Sequence, residues 1–181
     1  GFHTTGRSAA TFVGCYGNEA IRAISAASRP FFENPPPGFC NQPLLADRGA
    51  LHVAGEAQLD DLDAFVAEVP NLGLLERIGP LEVLKMVPVL NEDAVAGAAY
   101  ERDAQDIDVN ALLMGYIKGF RDAGGVLKMG ARVRSLLRRA GAWAIKTSLG
   151  TMSAPIVVNA AGAWGDEVAY LASTRPVGLM P

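Results

Sequence analysis

The stretch that most restricts the fold is the apolar run over residues 154–159. It continues into Ala160-Ala161-Gly162-Ala163 and then into a segment over 164–171 that reads as a helix. An unbroken apolar run of this length suits a strand buried on both faces, as in parallel sheets. The small residues after it let a ligand approach the backbone closely. A helix starting there points free N–H groups and a partial positive charge into the same space. Strand, small-residue turn and helix in that order indicate an α/β fold and a place for an anionic group. The opening Thr4-Thr5-Gly6-Arg7-Ser8 follows similar logic, with Gly6 allowing a sharp turn, hydroxyls offering short-range donors and Arg7 carrying charge toward a phosphate.

Other elements follow from periodicity and punctuation. Ser8 is expected to cap a helix through Ala9, Ala10 and Phe12, and Asn18 a second whose apolar positions are Ile21, Ile24 and Ala27. Residues 34–38, with three consecutive prolines, form a rigid loop. A strand over 49–54 precedes a helix over 56–69 that aligns Leu59, Leu62, Phe65, Val66 and Val69. Pro70, Pro80 and Pro88 leave room only for short pieces up to residue 93, after which 95–100 reads as a strand. The clearest helix begins at Asp106 or Asp108, buries Leu112, Leu113, Tyr116, Ile117 and Phe120, and stops at Gly124-Gly125. A strand over 126–128 and an antiparallel pair over 132–139 and 142–148, turning at Ala140-Gly141, complete the pattern.

Composition narrows the function classes. Sixteen basic and 19 acidic residues, mixed along the chain for a net charge of −3, favour neither nucleic acid nor an anionic membrane as partner. No run reaches the ~18–20 apolar residues that a transmembrane helix needs, and the start does not read as a signal peptide. Cys15 and Cys40 have no C-x-x-C spacing and only two histidines to join them, so neither a metal cage nor a disulfide framework is expected. Walker loops, zinc spacings and Ser/His/Asp arrangements are absent. His3 is read as a structural hydrogen-bonding residue and His52 as structural or surface. Asp106, Asp108, Asp166 and Glu167 read as first-turn or capping acids, and Arg132, Arg134, Arg138 and Arg139 as a solvated strand face.

Three segments taken together are more specific than any one. They are Phe2-His3-Thr4-Thr5-Gly6-Arg7-Ser8-Ala9-Ala10, then Asp106-Ile107-Asp108 ahead of the helix ending at Gly124-Gly125, and residues 154–164. In this order and spacing the chain resembles the D-amino-acid oxidase family, particularly its bacterial glycine/D-amino-acid oxidase and dehydrogenase-like members. The resemblance implies FAD as cofactor and oxidation of a D-amino acid, glycine or related amine by hydride transfer to the flavin, which carries the difficult chemistry. It places Thr4, Thr5, Gly6, Arg7 and Ser8 beside the pyrophosphate and isoalloxazine, Val133 at the adenine, and Ala160, Ala161, Gly162 and Trp164 near the phosphates and ribitol. The two small-residue bends would then converge on one dinucleotide. It names no catalytic acid or base; Arg and Tyr groups align the substrate.

The implied fold is α/β: a partial FAD-binding Rossmann-like domain with part of a second, substrate-binding α+β domain. Residues 1–30 and 105–175 fall in the first, 31–104 in an insertion belonging to the second, and 176–181 at the second domain's start. Family members begin with a strand, a G-x-G-x-x-G turn, a helix and a second strand. That N-terminal βαβ unit and the C-terminal half are not in this sequence. This chain alone is therefore expected to be an inactive fragment that holds FAD weakly or not at all and covers the apolar edge at 156–159 by self-association. Its partners would be a small amine or amino acid, with electrons passing to oxygen or a membrane acceptor and a cytoplasmic or membrane-peripheral location. Two other readings share the framework: an FAD-dependent 2-hydroxy acid or glycerol-phosphate dehydrogenase, and an inert self-associating fragment without activity.

Overall fold

A computed structural model describes residues 3–68 and 75–179, and internal contacts divide the chain into two compact units, Gly1–Gly125 and Val126–Pro181. Phe2, Val69, Pro70 and the last two residues of the 176–181 segment lie outside the described residues.

The first unit carries two three-stranded antiparallel sheets. One orders β1 (Thr11–Phe12), β6 (Gln105–Ile107) and β2 (Leu45–Asp47); the other orders β3 (Ala50–Ala54), β5 (Gly97–Glu101) and β4 (Leu75–Ile78). One ribbon passes through both. β2 leads into β3 across Arg48-Gly49, and β5 into β6 across residues 102–104, so Asp47 faces Gln105 before the break and Ala50 faces Glu101 after it. The Arg48 and Gly49 amides both donate to the Ala104 carbonyl, at 3.3 and 2.8 Å.

Side chains alternate across the second sheet. Ala98 and Tyr100 turn to the face covered by α4 (Pro80–Met86), where Ile78, Val83, Val95 and Leu51 pack with them. Ala99 turns to the opposite face, packing with Ala54 against Leu62 and Phe65 of α3 (Leu59–Glu68). The expected strands at 49–54 and 95–100 and the expected helix over 56–69 are these elements, the helix opening with a 3-10 turn at Glu56–Gln58. Alternation and the 3.6-residue period are local, so they survive in the fold.

The flanking helices depart from the expected pattern. Ser8 caps no helix. A single turn, α1 (Thr4–Arg7), precedes it, Ala10 turns the chain at φ +50°, and the Ile107 amide then donates to the Ala10 carbonyl to begin sheet pairing. Asn18 does cap α2 (Glu19–Glu33), accepting from the Ile21 amide at 3.1 Å, yet Ile24 is 64% exposed. The helix packs through aromatic rings instead: Phe32 meets Phe12 edge-on, and Phe31 contacts Phe39 and stacks on Tyr116. Tyr116 belongs to α5 (Val109–Asp122), capped by Asp108 through the Ala111 amide at 2.7 Å. Its buried residues are Ala111 and Gly115, while Tyr116 is 57% and Phe120 49% exposed. The Phe39 ring occupies the space where a Gly115 Cβ would project, so close approach selects the small residues of α5 for burial.

The second unit is an antiparallel meander of β7 (Val133–Arg139), β8 (Ala142–Thr147) and β9 (Gly150–Ala154), with α6 (Gly165–Leu171) against β7. The β7–β8 hairpin is the expected one, and Ala140 and Gly141 both take positive φ, 47° and 84°, as a two-residue turn of this hand requires. Arg134, Arg138 and Arg139 are exposed, as expected for a solvated face. Two expected strands do not form. Residues 126–128 are irregular, and the ladder of β9 stops at Ala154 because Pro155 has no N–H to donate. No described strand pairs with residues 156–159, which leaves Ile156 76% and Val158 81% exposed.

Candidate active-site cleft

The ribbon break opens a cleft of about 490 Å³ on the α4 side of the second sheet. Val13, Leu51, Met86 and Val87 make it apolar, while Thr11, Arg48 and Tyr100 supply polar groups. A second recess of about 480 Å³ shares Arg48, Gly49 and Tyr100 with it and adds Arg29, Asp47, Arg102, Asp103 and Gln105. Arg48 is thus the guanidinium common to both. It bonds Asp106 at 2.6 Å with both side chains half exposed. A pair this open is worth ~0–1 kcal/mol, so exchanging Asp106 for another carboxylate would cost little. Arg29 is stiffer: it lies over the Phe12 ring at 4.8 Å and bonds Glu33 and Gln105. Gly49, at φ +76°, has the Tyr100 ring 2.8 Å from where its Cβ would stand. Turn and ring are fitted to each other, with no room for a Cβ between them.

On the opposite, α3 face of the same sheet lies a buried polar cluster. Glu101 is fully buried, accepting from the Gly14 amide at 2.6 Å and from the Cys15 thiol at 2.7 Å. His52 Nε2 stands 3.4 Å from Cys15 Sγ and 3.6 Å from Glu101 Oε2, and its ring packs edge-on against Phe65. Burial, then the Glu101 hydrogen bond and charge, push the Cys15 thiol up to about 12. Burial alone would raise Glu101, but hydrogen bonds from His52, Cys15 and Gly14 outweigh it and hold the carboxyl below its ordinary value.

In the second unit the Ala160–Gly162 bend is organised by Asn159, whose side chain donates to the Gly165 carbonyl at 2.7 Å and accepts from the Ala161 amide at 3.3 Å. Gly162 takes φ +56° with open space where a Cβ would stand. Asp166 accepts from the Val177, Gly178 and Leu179 amides, each at 2.9 Å. Those amides, Val177 foremost, hold its carboxyl below the ordinary 3.8. A depressed folded value means that the carboxylate's contribution is present above 3.8 and lost as pH falls through the lower folded value. The amide resonances of residues 177–179 are therefore expected to titrate together below pH 3.8, and not at all in Asp166→Asn. A single transition at or above that pH would contradict the clamp.

The residues singled out from sequence lie in both units. Thr4, Thr5, Gly6, Arg7 and Ser8 are exposed around α1; Val133, at the head of β7, is half-buried; Ala160, Gly162 and Trp164 are exposed, and Ala161 is half-buried. Hydroxyls and a guanidinium at α1 form a donor set that suits an anionic dinucleotide, and the open side of Gly162 leaves room for a ligand beside its backbone. Both segments fit the group the resemblance implies. Arg48 and Tyr100 are not among these residues. The one visible signal was a long cation directly before a glycine at the head of a strand.

A family model described as FAD dependent oxidoreductase (DAO) matches residues 1–181. Over 92 residues, half of this chain, the sequence is 39% identical to mitochondrial dimethylglycine dehydrogenase of Homo sapiens, and the match spans 11% of that protein. Among solved structures, glycine oxidase from Geobacillus kaustophilus superposes with a TM-score of 0.77 at 20% identity, over 92% of this chain and 47% of that one. L-proline dehydrogenase from P. horikoshii gives 0.77 at 19% identity, over 96% and 46%. The L-α-glycerophosphate oxidase of Mycoplasma pneumoniae, solved with FAD bound, gives 0.74 at 17% identity, over 94% and 47%. The chain spans about half the length of these structures and a small part of the dehydrogenase. No described helix is long and apolar enough to cross a membrane.

Proposed function

The chain belongs to the DAO family of FAD-dependent oxidoreductases, and from that premise we propose that the full-length protein oxidises the C–N bond of an amino acid or related amine received by the Arg48–Tyr100 cleft. FAD, when bound, supplies the two-electron acceptor. Thr4, Thr5, Gly6, Arg7 and Ser8 are its proposed contacts in the first unit, and Val133, Ala160, Ala161, Gly162 and Trp164 in the second. Supporting this are the exposure and small size of the bend residues and the donors clustered around α1.

The observation that carries the substrate reading is the pairing of Arg48 and Tyr100 with an apolar wall in one cleft. Arg48 binds the substrate carboxylate in exchange for Asp106, the Tyr100 hydroxyl fixes its orientation, and Val13, Leu51, Met86 and Val87 cover the carbon side chain and exclude water. A hydrogen bond to a charged group is worth about 1.5–3 kcal/mol. Arg48→Met in the full-length flavoprotein is therefore expected to raise KM for amino acids roughly 10- to 150-fold. Flavin content should stay the same, and kcat should change less, because the contact exists in ground and transition states alike. Assays with D-amino acids, sarcosine and 2-hydroxy acids check this. An unchanged KM would remove Arg48 from the site, and turnover of hydroxy acids alone would overturn the amine reading.

A further inference from the structure

The α3 face of the second sheet holds a thiol, an imidazole and a carboxylate that the oxidation described above does not use. Ligand atoms of Cys15, His52 and Glu101 all lie within 4.8 Å of one another. We propose that these three side chains bind a thiophilic divalent cation of the zinc type.

Sulfur, imidazole nitrogen and carboxylate oxygen are each ordinary zinc donors. Around a tetrahedral zinc with bonds of about 2.0–2.3 Å, donor atoms sit roughly 3.3–3.6 Å apart. The Cys15 Sγ–His52 Nε2 and His52 Nε2–Glu101 Oε2 separations, 3.4 and 3.6 Å, already match. The third edge is shorter, 2.7 Å, because the thiol proton bridges it. The cation takes the place of that proton, which leaves to solvent, and the edge opens by less than ~1 Å. Buried carboxylates are paired or coordinate metals. Among the described residues, the ion-pair partner of fully buried Glu101 is His52, a cation only when protonated. Arg22, whose charge also reaches Cys15, is occupied by the Gly17 carbonyl and Glu68.

The surroundings fix the ligands. The Gly14 amide holds the other Glu101 oxygen at 2.6 Å, and Phe65 packs on the His52 ring. The His52 side chain, 33% exposed, provides the route in and a position for a water as fourth ligand. A bound cation would tie the Gly14-Cys15 turn, just after β1, to β3 and β5.

The test uses the full-length flavoprotein, freed of metal by chelator, equilibrated with Zn2+ and examined by elemental analysis and zinc X-ray absorption. The expected spectrum contains one sulfur at about 2.3 Å with nitrogen and oxygen at about 2.0 Å. Cys15→Ser and His52→Gln should each weaken retention of one zinc equivalent at least tenfold, while Cys40→Ser leaves it unchanged. Far-UV circular dichroism confirms folding, and His52→Gln, at a partly open position, carries the test if the Cys15 variant does not fold. Retention of no zinc, zinc with only nitrogen and oxygen neighbours, or a sulfur neighbour that persists in Cys15→Ser would each overturn the site.

Discussion

Glu101→Ala is expected to destabilise the folded protein by about 3 kcal/mol, roughly a 150-fold shift toward the unfolded state. The glutamate is fully buried, accepts from the Gly14 amide and the Cys15 thiol, and stands 3.6 Å from His52 Nε2. Removing it leaves the Gly14 amide without its acceptor and the Cys15 thiol with only His52 Nε2, at 3.4 Å, and an unsatisfied buried group costs about 1–3 kcal/mol. Water entering beside the partly open His52 recovers part of that, which is why the expected loss is below the sum. Glu101→Gln keeps the shape and an acceptor and should cost less. Denaturant midpoints measure both. The pH profile adds a check. Because the folded carboxyl lies below its ordinary 4.5, its contribution is present above that pH and disappears as pH falls through the folded value. Glu101→Ala should flatten this acid limb. A wild-type midpoint in Glu101→Ala would show that the cluster does not bear on stability.

Gly49→Ala is expected to lower kcat/KM for amine substrates about tenfold or more, with flavin content retained. Two effects act at this position. An L side chain near φ +76° costs roughly 1–2 kcal/mol. The new methyl also stands 2.8 Å from the Tyr100 ring, which has to leave its place in the cleft. The second effect is separable. In a Tyr100→Ala background the stability cost of Gly49→Ala should shrink toward the backbone strain alone, as a double-mutant cycle will show. Equal costs in both backgrounds would mean that the turn does not set the Tyr100 position.

Which parts could be read beforehand follows from how far apart the interacting residues are. Asn18 and Asp108 were identifiable as caps because each bonds an amide three positions away. The β7–β8 hairpin was visible at Ala140-Gly141 because its turn depends on two adjacent residues. β6 is not legible locally, since its three residues, Gln-Asp-Ile, show no alternation and gain strand character only from β1 and β2 on either side. The apolar stripe of α5 is legible only in part: Leu112, Leu113 and Ile117 are half-buried, but Tyr116 and Phe120 are exposed, and the close packing at Gly115 follows Phe39, a residue from the loop after α2. Residues 156–159 carry strand composition, yet composition supplies no partner.

Family membership and its cofactor are legible in the chain, because the resemblance is carried by contiguous segments, Thr4–Ser8 and Ala160–Gly162 among them, whose order and spacing stand in the sequence itself. Tertiary structure alone brought Cys15 to His52, 37 positions on, and to Glu101, 86 positions on, and opened the Arg48–Tyr100 cleft on the other side of the same sheet. Strand register decides both. Pairing Ala50 with Glu101 and Leu51 with Tyr100 sends neighbouring residues to opposite faces, and nothing in the local sequence of either strand specifies that pairing.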